Sequence, residues 1–138
     1  MPSKVTNRPV TDVRLLLDTH VFIWFLEKSH RLKDHIDSMI TESDEAWISV
    51  ASIWEMEIKR ASGKLSYDFD PLDAASQSGI EWLPVTVRHA MVIGDVALDH
   101  GDPFDRMLMA QARVDGLSFV TADKRIVAAG ADYVISAL

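Results

Sequence analysis

VRLLLDTHVFIWFL, residues 13–26, joins two hydrophobic periods at one acidic residue. Val13 to Leu17 is a short, nearly continuous apolar run, the pattern of a strand covered on both faces. Val21, Phe22, Trp24, Phe25 and Leu26 then recur at helical spacing, and Asp18-Thr19 between the runs supplies the oxygen that caps a helix start.

The same alternation continues downstream. A helix is expected from about Lys33 to Thr41 with Ile36, Met39 and Ile40 inward, then a strand over Ala46–Val50. Ser49 or Ser52 can cap a helix through Ile53, Trp54, Ile58 and Ala61 that stops near Gly63. An irregular stretch, Tyr67–Asp70, leads to a helix from about Pro71 to Ser78, a strand Glu81–Val85, a helix from Thr86 to about Val96 and a loop Leu98–Gly101. Asp102 as N-cap and Pro103 at the first position open a helix that ends at Gly116, with Phe104, Met107, Leu108, Gln111 and Ala112 inward. A strand over Leu117–Val120, a helix over Lys124–Ala129 and a strand over Tyr133–Ile135 complete the chain. Short apolar runs alternating with amphipathic helices predict an α/β fold, a parallel sheet with helices on both faces.

A length of 138 residues sets one domain as the expectation: a polar leader over 1–12, loosely ordered, and a single domain over 13–138. The longest apolar stretch, Val21 to Leu26, falls far short of the ~20 residues that span a bilayer, and the leader has no apolar signal core, so a cytoplasmic protein without membrane contact is expected. With no cysteine there is no disulfide, thiol nucleophile or thiolate metal site, so any metal must be held by oxygen or imidazole. A net charge of -7, from 14 basic and 21 acidic residues, argues against general binding to a phosphate backbone. It leaves room for a locally selected nucleic acid, because cations held by clustered carboxylates would reverse the local sign.

Four acids stand where such a cluster would form. Ligand crevices in open α/β sheets lie beyond the carboxyl ends of the strands. Asp18 follows the first strand, Asp123 follows the strand ending at Val120, and Asp105 lies in the first turn of its helix. Glu55 lies in the second turn after Val50, where side chains lean back toward the helix start. Each has a structural reading of its own: Asp18 as an N-cap, Asp105 as the third residue after a capping Asp102, Glu55 paired with Lys59 on a solvated face, and Asp123 as a turn or cap residue. Their joint placement is what points to chemistry. Two carboxylates about 5 Å apart repel by roughly 3 kcal/mol at an effective dielectric near 20, a cost that a divalent cation offsets.

Other candidates are weaker. His20, His30, His35, His89 and His100 lack zinc spacing, and most are expected at the surface. No dinucleotide, P-loop or serine-hydrolase motif occurs. Trp24, Trp47, Trp54 and Trp82 fall on positions expected to serve the core. Arg106, Lys59, Arg60 and Lys64 could meet phosphate near the crevice.

LLLDTHVFIWFL, ISVASIWEMEIKRASGKL, DPFDRMLMAQA and FVTADKRI together resemble PIN-domain proteins of the VapC type, the toxic half of bacterial toxin-antitoxin pairs. The resemblance spans Leu15 to Ile135; the polar stretch before Val13 departs from the family's usual start close to the first strand. It implies a three-layer α/β/α PIN-like domain with an acidic catalytic site at Asp18, Glu55, Asp105 and Asp123, and Thr121 as a hydroxyl neighbour. Asp18, Asp105 and Asp123 would be the metal ligands, and Thr121 and Arg106 would neighbour the substrate. It further implies a Mg²⁺- or Mn²⁺-dependent endoribonuclease that forms a homodimer and is silenced by a small antitoxin protein. Trp24, Phe25, Trp54 and Met56 spread over more than one helix face, which suits an amphipathic antitoxin segment with a basic side chain, Arg, that reaches the carboxylates. The rival expectations are a Mg²⁺-binding module similar to a response-regulator receiver, although Trp82–Val85 offers it no phosphoacceptor Asp, and a PIN scaffold without catalysis.

Overall fold

Arg14–Leu17 (β1) forms the middle of the sheet, and Leu15, Leu16 and Leu17 leave it no side for water: all three are fully buried. The computed structural model describes residues 12–96 and 101–138, so the expected leader, Asp12 apart, and the loop residues Leu98, Asp99 and His100 lie outside the described residues. After β1 the elements are α1 (Thr19–Glu27), α2 (Asp34–Glu42), β2 (Glu45–Ser49), α3 (Val50–Ala61), α4 (Pro71–Gln77), β3 (Glu81–Leu83) and α5 (Val87–Val92). A 3-10 turn, Ile93–Asp95, precedes α6 (Pro103–Asp115), β4 (Ser118–Thr121), α7 (Lys124–Ala129) and β5 (Val134–Ser136).

The five strands pair in parallel in the order β3-β2-β1-β4-β5. Alternate residues of each strand serve opposite faces. Leu15, Leu17, Ala46, Ile48 and Val120 pack with Phe22 of α1, Ile36 and Ile40 of α2, Met56 of α3 and Ala75 of α4. Leu16 and Phe119 pack on the other face with Leu108, Met109 and Ala112 of α6 and Ile126 of α7. The result is the expected α/β/α sandwich. Among the described residues, no helix is long and apolar enough to cross a membrane.

Local chemistry sets the boundaries. Asp102 accepts from the backbone N–H of Phe104 at 2.8 Å and Pro103 follows at the first helical position, while Gly116 ends α6 at φ 69°, a left-handed conformation that costs glycine little. β3 stops at Leu83, two residues earlier than expected, because Pro84 has no N–H to extend the ladder. The helix expected to reach Val96 stops at Val92 and tightens into the 3-10 turn, where Gly94 and Asp95 are poor helix formers.

One expectation about an individual side chain is overturned: Trp54 is 63% exposed rather than part of the core, and packs edge-on against Phe104 at 5.2 Å between ring centroids. Of the five histidines, most of which are expected at the surface, His89 is an exception at 2% exposed. Its Nδ1 accepts from the Thr86 backbone N–H at 3.0 Å, which leaves the proton on Nε2 to donate to Asp115 at 2.8 Å.

Candidate active site

The strand order places β1 where the chain changes direction across the sheet: β2 lies on one side of it and β4 on the other. Crevices open at such switch points. The backbone N–H of Asp18, just past β1, donates to Val120 O at 2.9 Å, which fixes the chain exit beside β4. The Asp18 carboxylate accepts from the Thr19 backbone N–H at 2.7 Å on Oδ1 and from the Thr121 hydroxyl at 2.6 Å on Oδ2. Thr121 Oγ1 in turn accepts from the backbone N–H of Asp123 at 3.0 Å. One fully buried hydroxyl therefore ties the acid after β1 to the acid after β4. Thr121 faces Asp18 rather than the open crevice. Thr121→Val should destabilise the fold by about 1–3 kcal/mol, as expected for losing a buried bond to a charged acceptor, with Thr121→Ser recovering most of it in urea melts.

Glu55 reaches the same point from α3. Ser49 caps that helix through Ala51 N–H, and Glu55 follows in its second turn, only 6% exposed. The hydroxyl of Thr19 donates to its Oε1 at 2.8 Å and also lies 2.9 Å from Ser52 Oγ, while Lys59 Nζ lies 2.8 Å from its Oε2. The i,i+4 pair with Lys59 forms, but with its acid buried, not on a solvated face. The Glu55 bond holds the Lys59 ammonium above its ordinary pKa, with Asp102 and Asp105 adding to the effect. Asp105 sits in the first turn of α6 and Asp123 caps α7 through Arg125 and Ile126 N–H.

The four acids line one open crevice of about 400 Å³. Burial, then the charges of Asp18, Asp102, Asp123 and Glu55, push the Asp105 carboxyl up to about 8. Burial also raises Asp18, against the opposing pull of its Thr121 and Thr19 hydrogen bonds. Asp102, named in the sequence only as a helix cap, borders this space, as do His20, Trp24 and Arg31. Arg106 does not line it: its guanidinium donates to Val96 O at 3.2 Å.

Among the described residues, no three acid or imidazole side chains lie close enough together to hold a metal ion between them. The donor set nevertheless suits a hard divalent cation. Mg²⁺ takes one or two carboxylates, keeps several waters and accepts phosphate oxygens, so an open, all-oxygen site fits it better than a cage would. Burial first, and the neighbouring acids second, raise the carboxyls of Asp105 and Asp18, so a cation bound among them would offset part of that cost. Asp18, Asp105 and Asp123 all present oxygen donors to this crevice.

Comparison with known proteins agrees with this fold. Ribonuclease VapC22 of Mycobacterium tuberculosis is 27% identical over 115 residues, covering 81% of this chain and 88% of that protein. The crystal structure of VapBC2 from Rickettsia felis, bound to a DNA fragment from its promoter, has a similar fold, with a TM-score of 0.63 at 13% identity over 90% of this chain and 97% of that one. A toxin-antitoxin complex from Klebsiella pneumoniae gives 0.63 at 16% over 90% and 98%, and DNA-bound VapBC from Salmonella typhimurium gives 0.61 at 18% over 91% and 99%. Residues 15–131 match the PIN domain model, a span that contains all four acids, and the chain therefore belongs to the PIN domain family.

Proposed function

We propose that the protein is a divalent-metal-dependent endoribonuclease, the toxin of a toxin-antitoxin pair, that hydrolyses RNA phosphodiester bonds at this crevice. The observation that carries the reading is the convergence of Asp18, Glu55, Asp105 and Asp123 in one cleft, with Asp105 held near 8 by burial and by the other acids. The similarity to a ribonuclease and to toxin-antitoxin complexes supports it.

Asp18, Asp105 and Asp123 would hold the cation, and Glu55, held between Thr19 and Lys59, would complete the site directly or through a water. Mg²⁺ or Mn²⁺, when bound, supplies the charge that makes a water acidic and offsets charge on the leaving oxygen. Thr121 keeps the Asp18 carboxylate at a fixed angle, so the ligand set is preorganised from the β4 side. RNA as substrate sets the reaction in the cytoplasm. The antitoxin would cover the exposed apolar side chains Val50, Trp54 and Ile58 of α3; Met56 is fully buried, and Trp24 and Phe25 are half-buried against the core, so Trp54 is the most open of the four residues noted in the sequence. A homodimer completes the proposed assembly.

A metal titration tests the activity. Metal-free protein, prepared free of host nuclease, should leave a structured RNA intact, cut it as Mg²⁺ or Mn²⁺ is added, and stop when EDTA is in excess. Cutting that persists in EDTA, or none at any metal concentration, would overturn the proposal.

A further inference from the structure

We propose that His20, Trp24 and Arg31 form a nucleotide-binding subsite on the α1 side of the crevice, where a single-stranded base next to the scissile phosphate is held. The inference rests on the ribonuclease reading and adds the place where the substrate strand is gripped. The three residues line the same crevice as the acids but differ from them in kind: an imidazole, an indole and a guanidinium. His20 and Trp24 sit one helical turn apart on α1, with ring centroids 6.1 Å apart and planes inclined by 47°. Trp24 is half-buried, so packing against the core fixes the ring while part of it stays open to the crevice.

Arg31 is delivered by an unusual turn. Lys28 closes α1 at φ 54°, a left-handed conformation without glycine, and the turn is held by hydrogen bonds from Lys28 N–H to Phe25 O at 3.3 Å and from Ser29 N–H to Trp24 O at 2.9 Å. Arg31 N–H donates to Ser29 Oγ at 3.1 Å, and the next residue, Leu32, is buried in the core. The backbone of Arg31 is thus fixed on both sides while its side chain is exposed.

Charge decides what such a wall would bind. Lys59, the other long cation of the crevice, is committed to Glu55, whereas Arg31 makes no ion pair among the described residues. A substrate phosphate entering an acid-lined cleft needs a cation outside the acid cluster, and a guanidinium matches phosphate geometry. Every base has a π-face that stacks on an aromatic side chain, and only an unpaired base exposes it. Trp24 therefore takes the base, Arg31 the flanking phosphate, and His20 a hydrogen bond to the same nucleotide.

The test measures affinity for a short labelled single-stranded RNA by fluorescence anisotropy, in an Asp105→Asn background that leaves the RNA intact. Trp24→Ala and Arg31→Ala should each weaken binding about tenfold, with Trp24→Phe staying close to the parent. Arg31→Ala should also reduce the slope of log affinity against log salt by about 0.7, which loss of packing alone would not do. If Trp24→Ala melts early, Arg31→Ala and His20→Ala, both at exposed side chains, decide the question. Unchanged RNA affinity in these variants, even alongside weakened antitoxin binding, would overturn the subsite. RNA affinity lost in the variants while the wild type cleaves no RNA with Mg²⁺ or Mn²⁺ would overturn the nuclease reading and leave the subsite standing.

Discussion

Asp105→Asn is expected to reduce metal-dependent RNA cleavage by about three orders of magnitude or more, while the metal-free protein becomes harder to melt. Asn keeps the volume and the place in the first turn of α6 but removes the carboxylate that, on the proposed reading, would draw the cation. The stability gain follows from the same electrostatics. Asp105 carries a carboxyl pushed to about 8 by burial and by Asp18, Asp102, Asp123 and Glu55, so folding at neutral pH must either bind a proton there or crowd one more negative charge into the cleft. Removing that group should be worth about 1 kcal/mol, or 3–5 °C in a thermal scan in EDTA. An active-site change that stabilises the protein and abolishes its activity separates this role from a structural one. A variant that melts lower and keeps wild-type cleavage would contradict it.

Metal and pH should act on the wild type in opposite directions. The folded protein keeps its proton on Asp105 up to about pH 8, whereas the unfolded chain releases it near the ordinary carboxylate value, 3.8. Between those limits the folded state binds more protons, so the stability of the metal-free protein falls as pH rises from about 4 to about 8 and then levels off. The raised Asp18 carboxyl adds to the same slope. Glu57 works the other way at lower pH: its bonds with Arg60 and Tyr67 hold it at about 2, so its contribution is complete above the ordinary range and is lost as pH falls toward 2. Saturating Mg²⁺ should cancel the neutral-pH penalty. At about 100 times its dissociation constant it adds roughly 2.7 kcal/mol, on the order of 8 °C for a chain of this size. Thermal scans across pH with EDTA or Mg²⁺ check both slopes, and an equal metal-induced shift in wild type and Asp105→Asn would count against the assigned ligands.

Much of this was legible in the sequence where local chemistry decides the outcome. The Asp102-Pro103 start and Gly116 end of α6, the limits of α7 and the doubly buried leucines of β1 follow from caps, glycine and apolar runs. The four acids were readable because each sits just past a strand end or in the first turns of the next helix. Strand order was not, because nothing local in β1 records that β4 rather than β3 becomes its second neighbour. The inward turn of Thr121 toward Asp18 depends on that order. Trp54 was misplaced because helical spacing registers a large apolar residue without showing whether a neighbour covers it. Arg31 carried no signal at all: its place in the crevice depends on the left-handed turn at Lys28, which a lysine does not advertise. His20, next to the Asp18-Thr19 cap, could have been found by following that helix's first turn toward the same crevice.

Calorimetric titration of Mn²⁺ into metal-free protein at pH 7, run in two buffers of different ionisation heat, measures ion binding and proton release together. If Asp105 is a ligand that starts out protonated, the wild type should bind Mn²⁺ with release of close to one proton, and Asp105→Asn should bind far more weakly and release almost none. Mn²⁺ binding of equal strength and equal proton release in both proteins, or no binding by the wild type, would contradict a metal site built on these acids.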